Sequence, residues 1–145
     1  MAAFALRRRS PWLIGATIVV ALVVVLGLRS CQGQVIEVDG VTVLVGEYDG
    51  GASDIRAGGV LEVVGGCLGA EGRVYVFPHG TEVVDEDPLT IDIPEWGEVA
   101  VGEEFHVAMG SAEGREADGA SPGSFEIAGV DVPADCAAYD VFVAG

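Results

Sequence analysis

The chain contains no lysine and no asparagine, and only two of its 145 residues are histidine. All seven basic residues are arginine, a bias that indicates a GC-rich genome because lysine and asparagine codons are rich in A. The absence of lysine removes one class of nucleophile and Schiff-base residue, and two histidines offer few general bases. No nucleophile-elbow, phosphate-binding or metal-ligand motif compensates for this. The composition therefore favours a non-catalytic protein.

Acidic residues are absent from the first 36 positions and abundant after them. From Glu37 onward, 23 acidic residues accompany only three basic ones, Arg56, Arg73 and Arg115, so this part carries a net charge of −20. Such a charge repels nucleic acid, and no DNA or RNA partner is expected. We interpret it as a solvated acidic surface, with weak binding of divalent cations or of a cationic partner as the alternative.

The N-terminus pairs a basic cluster with the longest apolar run of the chain. Arg7–Arg9 precede Trp12–Leu28, which contains no charged residue and would span roughly 25 Å as a helix. This pattern predicts a cytoplasmic tail over 1–10, a transmembrane signal-anchor helix over 11–30, a linker over 31–34 and an extracytoplasmic domain over 35–145. The expected location is the cell membrane, crossed once.

Two other fates of the N-terminal segment stay open. Leu28, Ser30 and Cys31 match a bacterial lipoprotein signal, although Arg29 does not, so Cys31 is a candidate for lipidation. A cleaved signal peptide is the third alternative, despite the lack of an A-x-A-like cleavage site after the apolar run.

The other two cysteines, Cys67 and Cys136, both lie in the exported part. Two cysteines in an oxidising compartment most simply pair with each other, and we predict a disulfide between them. A metal site is the alternative, but neither cysteine has a histidine nearby in the sequence.

After Cys31 the pattern changes to short alternating segments separated by turn residues, and no segment shows a sustained 3.6-residue period. Asp39-Gly40 between two β-branched runs predicts a hairpin. We expect eight or nine strands in an all-β domain, a small antiparallel barrel or sandwich. Two Gly-rich stretches, 46–59 and 110–123, are predicted to be loops, the second flexible and dispensable for folding. The predicted strands are 35–38, 41–45, 60–64, 73–77, 89–93, 99–101, 104–109, 124–127 and 139–143.

The two histidines are weak candidates for chemistry. His79 lies in a Pro-His-Gly turn, which predicts an exposed turn residue. His106 alternates outward with Glu104 on one strand face, and two ligands alone do not make a metal site. The sequence therefore predicts no catalytic, cofactor-binding or metal-ligating residue.

Four short motifs, 65–68 (GGCL), 77–81 (FPHGT), 101–104 (VGEE) and 133–136 (PADC), carry a resemblance to a group of proteins. Together they resemble uncharacterised small, β-rich, membrane- or lipid-anchored exported proteins of high-GC Gram-positive bacteria, over about residues 58–143. The resemblance implies an envelope location and a disulfide. It implies no activity and no functional residue.

Two classes of function follow from the sequence. The first is a non-catalytic envelope module that binds a protein, peptide or glycan or has a structural role. The second is an envelope hydrolase or a weak divalent-metal-binding domain. A pocket that gathers His79 or His106 with two acidic groups would favour the second class.

Overall fold

The computed structural model describes residues 33–47, 56–115 and 123–144. Within these ranges the chain forms twelve strands and one short helix. In chain order the elements are β1 (Gln34–Val38), β2 (Val41–Val45), β3 (Arg56–Val64), β4 (Cys67–Ala70), β5 (Arg73–Phe77), β6 (Glu82–Glu86), β7 (Leu89–Ile93), β8 (Gly97–Ala100), β9 (Glu104–Arg115), β10 (Phe125–Ile127), β11 (Val130–Val132), α1 (Ala134–Ala137) and β12 (Val141–Ala144).

These strands form a large sheet and two small ones. The large sheet has the order β1-β2-β4-β3-β9-β12-β5, and β5 also pairs with β2 and β4, so the sheet curls back on itself. β6, β7 and β8 form a three-stranded antiparallel sheet, and β10 pairs with β11 in a hairpin. The all-β prediction is confirmed. The large sheet is mixed rather than antiparallel, because β2 pairs in parallel with β4 and β5, and β5 with β12.

β5 is a central strand, as its apolar residues on both faces indicate, because it pairs with β2, β4 and β12. Successive side chains of a strand point to opposite faces. Tyr75 and Phe77 therefore pack in a first core, and Val74 and Val76 pack in a second. All four side chains are at most 2% exposed.

The first core lies between the large sheet and the three-stranded sheet, which contributes Ile91, Ile93 and Val99. The second core is covered by the β10–β11 hairpin and by α1. The predicted disulfide is confirmed here: Cys67 of β4 and Cys136 of α1 are bonded, with their Cα atoms 5.7 Å apart and a separation of 69 positions along the chain. The bridge fastens α1 to the large sheet inside the second core.

The Asp39-Gly40 hairpin is confirmed. β1 and β2 pair antiparallel with Val38 opposite Val41, and both turn residues have positive φ, 48° at Asp39 and 79° at Gly40. These angles are those of a two-residue turn whose twist matches that of the flanking strands.

Both predicted loops are wrong in part: Gly46, Glu47 and Gly123 lie outside the strands as predicted, but the other described residues of the two loops do not. β3 begins at Arg56, inside the predicted loop 46–59, and β9 continues to Arg115, inside the predicted loop 110–123. Backbone pairing accounts for both, because Arg56–Val60 pairs with Ala108–Glu104, and Gly114 and Arg115 pair with Phe142 and Val141. A stretch that buries few apolar atoms still forms a strand when its neighbours take up its hydrogen bonds. The remainder of each loop, 48–55 and 116–122, lies outside the described residues.

The predicted cytoplasmic tail, the transmembrane helix over 11–30 and Cys31 also lie outside the described residues. Among the helices that the structure describes, none is long and apolar enough to span a membrane.

Candidate functional site

A cleft of about 470 Å³ opens on the large sheet where β3, β5, β9 and β12 meet. One wall is the start of β3, Arg56–Gly59, and the facing strand β9 contributes Glu104 and His106. Tyr75 and Phe142 also line it, and they lie side by side in the parallel pair of β5 and β12. Charged and aromatic groups that are far apart in the sequence therefore converge at one place.

Two glycines shape the β3 wall. Gly58 and Gly59 have φ of 147° and 145°, a region that L-residues rarely adopt. A Cβ at Gly58 would collide with the carbonyl oxygen of Phe105 in β9, and one at Gly59 would lie 2.9 Å from Cγ of Glu71. Glycine at both positions therefore permits close pairing with β9 and leaves room for the Glu71 side chain at the cleft.

A tight hairpin delivers two more charged residues to the cleft, Glu71 and Arg73. Ala70 at the end of β4 pairs with Arg73 at the start of β5, so Glu71 and Gly72 form a two-residue turn. Both turn residues have positive φ, 54° and 73°, and the Gly72 amide donates a 2.7 Å hydrogen bond to Oε1 of Glu62. Glu71 lies in this turn and Arg73 is the first residue of β5, and both line the cleft.

The base of the cleft is an aromatic cluster centred on Tyr75. Its ring centroid lies 6.2 Å from that of Phe77, 5.8 Å from that of Phe105 and 6.4 Å from that of Phe142. Tyr75 is 2% exposed, so it presents little surface beyond the part that borders the cleft. Packed rings on three sides hold the Tyr75 side chain in one position.

Two of the three arginines of the acidic part line this cleft, Arg56 and Arg73. The guanidinium carbon of Arg73 lies 4.9 Å from the centroid of the Phe142 ring, within the range of a cation–π contact. Among the residues that the structure describes, neither Arg56 nor Arg73 forms an ion pair with a carboxylate. Both arginines are exposed residues that line the cleft.

A histidine–carboxylate contact lies on the β9 side of the cleft. His106 Nε2 is 3.6 Å from Oε1 of Glu104, with 43% and 70% of the two side chains exposed. This confirms that the two residues share a strand face. The Trp96 ring packs edge-on against His106, with centroids 5.7 Å apart, and Trp96 is itself 46% exposed. A pair this exposed contributes little to stability, and His106 is supported by Trp96 rather than free in solvent.

Burial raises the pKa of the Tyr75 hydroxyl above its ordinary value of 10.0, and the nearby Glu71 carboxylate raises it further. A backbone hydrogen bond at Gly58 and the charge of Arg73 act in the opposite direction and only partly offset this. Tyr75 is therefore neutral at physiological pH and can act as a hydrogen-bonding hydroxyl at the base of the cleft.

We expect the raised pKa of Tyr75 to make the protein less stable in alkali. The unfolded chain ionises its tyrosines near pH 10 while folded Tyr75 stays protonated, so the stability contribution is full below pH 10 and declines above it. The free energy of unfolding should fall above pH 10, with a Tyr75 contribution approaching about 1.4 kcal/mol per pH unit. Denaturant unfolding at pH 8 to 11 measures this. Tyr75→Phe should flatten the decline; equal slopes in the parent and in Tyr75→Phe would contradict the assignment.

The other histidine does not join the cleft. The turn predicted at His79 is confirmed, but His79 is only partly exposed, and its Nδ1 is buried without a hydrogen-bond partner among the described residues. The prediction of an exposed side chain is therefore wrong: the adjoining Pro78 and Thr81 are buried, and the Thr81 hydroxyl donates a 2.8 Å hydrogen bond to the Pro78 carbonyl. No group of three or more His, Cys, Asp or Glu side chains that could hold a metal occurs in the described part of the chain.

The cleft residues were not singled out by the sequence, apart from Glu104 and His106. One signal was present for Glu71 and Arg73. Gly65-Gly66 and Glu71-Gly72 bracket the four-residue strand β4, and each is a two-residue turn. Reading them as two successive hairpins would have placed Glu71 and Arg73 at a hairpin end. Arg56 and Phe142 carried no such signal.

The chain matches no protein-family model, no curated protein and no solved structure.

Proposed function

We propose that the chain is a single-pass membrane protein whose extracytoplasmic β domain is a non-catalytic binding module of the cell envelope. The basic cluster Arg7–Arg9 and the uncharged run Trp12–Leu28 support the anchor and its orientation. A lipid on Cys31 would serve the same purpose. For the β domain we propose a sandwich-like arrangement, supported by the separate three-stranded sheet that packs on the first core.

The cleft is the observation that carries the binding role. Clefts of a few hundred Å³ with an apolar base and a few convergent polar groups are the usual form of ligand sites. This one has an aromatic base, two arginines and a buried tyrosine. An acidic surface that served only to keep the domain solvated would give no reason for two of its three arginines to line the same cleft. The expected partner is an envelope protein, peptide or glycan that enters this cleft.

The same cleft also favours a second candidate, an envelope hydrolase. It brings His106 together with two carboxylates, those of Glu71 and Glu104. A histidine oriented by a carboxylate can act as a general base. The His106–Glu104 pair is exposed, however, and among the residues that the structure describes no serine or cysteine nucleophile lines the cleft. We therefore prefer the binding role.

The membrane topology gives a direct test. Alkaline phosphatase fused after Gly145 should be active, because it folds only outside the cytoplasm, and a fluorescent cytoplasmic reporter at the same position should be inactive. Replacing Arg7–Arg9 with glutamine should reduce the fraction of chains in this orientation, since basic residues keep the N-terminus inside. An inactive phosphatase fusion beside an active cytoplasmic reporter would overturn the proposed orientation.

The choice between contact and catalysis is tested with the full chain in detergent micelles. Ester, peptide and glycoside substrates are supplied with and without calcium or zinc. The binding role predicts no turnover above that of a Glu71→Gln, His106→Gln double variant. Turnover that disappears in this variant while the fold is kept would establish the hydrolase and refute the contact role.

A further inference from the structure

We infer that the cleft binds the free carboxylate at the C-terminus of a short peptide, held between Arg56 and Arg73. This inference rests on the proposed binding role and specifies its ligand. It is based on three observations: both arginines line the cleft, neither has an ion-pair partner among the described residues, and apolar residues line the cleft beside them.

Charge is the first argument. The part of the chain after Glu37 has a net charge of −20, so an anion is repelled almost everywhere on it. The cleft is an exception, because Arg56 and Arg73 balance Glu71 and Glu104 there. A singly charged carboxylate suits this balance. A phosphate group, with up to two negative charges, would meet the two glutamates less favourably.

The guanidinium geometry is the second argument. Guanidinium binds carboxylate through two parallel N–H donors, and such charge-assisted bonds are about twice as strong as neutral ones. Arg73 is oriented by its contact with the Phe142 ring, 4.9 Å from the centroid, which lowers the entropy lost on binding. In the described part of the chain no carboxylate lies within ion-pair distance of Arg56 or Arg73, so both can accept an external one.

The remaining lining favours a peptide over an acidic sugar. Glu71 and Glu104 can accept hydrogen bonds from peptide N–H groups, and Ala57 and Phe142 offer apolar contact to a small side chain. A sugar ring would need an open aromatic face to stack on. Arg73 covers the Phe142 ring on one side, and Tyr75 is only 2% exposed.

The test uses the full chain in detergent micelles and three probe pairs. The probes are N-acetyl-dialanine and its C-terminal amide, glucuronate and glucose, and inorganic phosphate with chloride as its reference. We expect the dipeptide acid to bind at least about 10-fold more tightly than its amide, because the amide lacks the carboxylate that accepts a charge-assisted hydrogen bond from arginine. Amide chemical shifts should change at Gly58 and Gly59, which line the cleft.

The variants locate the site. Arg56→Gln and Arg73→Gln should each weaken binding of the dipeptide acid by about 10-fold or more, and Arg73→Lys should recover only part of it. Gln34→Glu on β1 is the matched control, because it makes the same change in net charge at an exposed position outside the cleft. It should leave affinity within about 2-fold, since an exposed charge outside the cleft lining makes no contact with the ligand and is weakened by salt screening. Circular dichroism spectra and melting temperatures that match those of the parent protein show that each variant keeps the fold.

Several results would overturn the inference. Equal binding of the acid and the amide would exclude carboxylate recognition, and unchanged affinity in both arginine variants would place the ligand elsewhere. Tighter binding of glucuronate or phosphate than of the dipeptide would assign the cleft to another ligand, which leaves the binding role intact. Failure of the topology test would refute the proposed function without affecting these affinities.

Discussion

Cys136→Ser should lower the free energy of unfolding by about 2–5 kcal/mol. The bridge from Cys67 to Cys136 spans 69 residues, and closing a loop of that length restricts the unfolded chain by roughly 4 kcal/mol in the chain-entropy model. The substitution also leaves a serine hydroxyl at a position that is 0% exposed within the second core. Denaturant unfolding followed by circular dichroism measures the change.

The expected effect is large because the bridge fastens a short helix that has little else to hold it in place. α1 has only four residues, too few to be stable as an isolated helix, and only Cys136 and Ala137 of it are buried. Without the bridge, α1 must remain on the second core by apolar contact, while β12 keeps its pairing with β5 and β9.

The controls use a Cys31→Ser background, which prevents disulfide exchange. The double variant Cys67→Ser, Cys136→Ser should be destabilised by an amount similar to the single variant, and neither should respond to reductant. The bridged parent should lose a comparable free energy when reduced. A parent whose unfolding midpoint is unaffected by reductant would show that the disulfide does not stabilise the domain.

Phe105→Ala should lower the free energy of unfolding by about 3–5 kcal/mol, the usual cost of removing a buried phenylalanine side chain. Phe105 is 0% exposed in the first core. Its ring packs edge-on against Tyr75 at 5.8 Å and lies 6.0 Å from the Phe77 centroid. The truncation would leave a cavity directly beneath the cleft, bordered by β-strands that hydrogen-bond to their neighbours and cannot easily collapse into it.

Phe105→Ala should also loosen the Tyr75 side chain in the cleft, because Tyr75 loses one of the three rings that pack against it. Phe105→Leu keeps most of the volume and should cost clearly less than Phe105→Ala. Val84→Ala on β6, where Val84 is 47% exposed, should change stability by less than about 0.5 kcal/mol. Denaturant unfolding measures all three; a Phe105→Ala loss below that of Phe105→Leu would contradict the assignment of Phe105 to a tightly packed core.

The predictions that held depend on local signals. Asp39-Gly40 forms its hairpin because two adjacent residues with positive φ satisfy the turn by themselves. Leu89–Ile93 forms β7 with Ile91 and Ile93 buried and Asp92 exposed, as its period of two indicates. The cysteine pair followed from the number of cysteines and the expected compartment.

The predictions that failed concern segments whose structure depends on a distant partner. Ala57-Gly58-Gly59 has low strand propensity, yet it pairs with β9, where the glycines allow the close approach. Gly114 and Arg115 are opposite Phe142 and Val141 of β12, a pairing that no local pattern encodes. The loop predicted over Gly110–Gly123 is therefore wrong for its first six residues, which belong to β9, while its dispensability stays a prediction.

The sequence by itself determined the all-β class, the central strand β5, the acidic surface and the partner of each bridged cysteine, because composition and short periods encode burial and turns. The mixed pairing of the large sheet and the cleft were decided only by tertiary structure. The cleft draws Arg56 from β3, Arg73 from β5, His106 from β9 and Phe142 from β12. Those side chains meet because parallel pairing and a curled sheet bring remote strands together, and such long-range register leaves no trace in the spacing of residues along the chain.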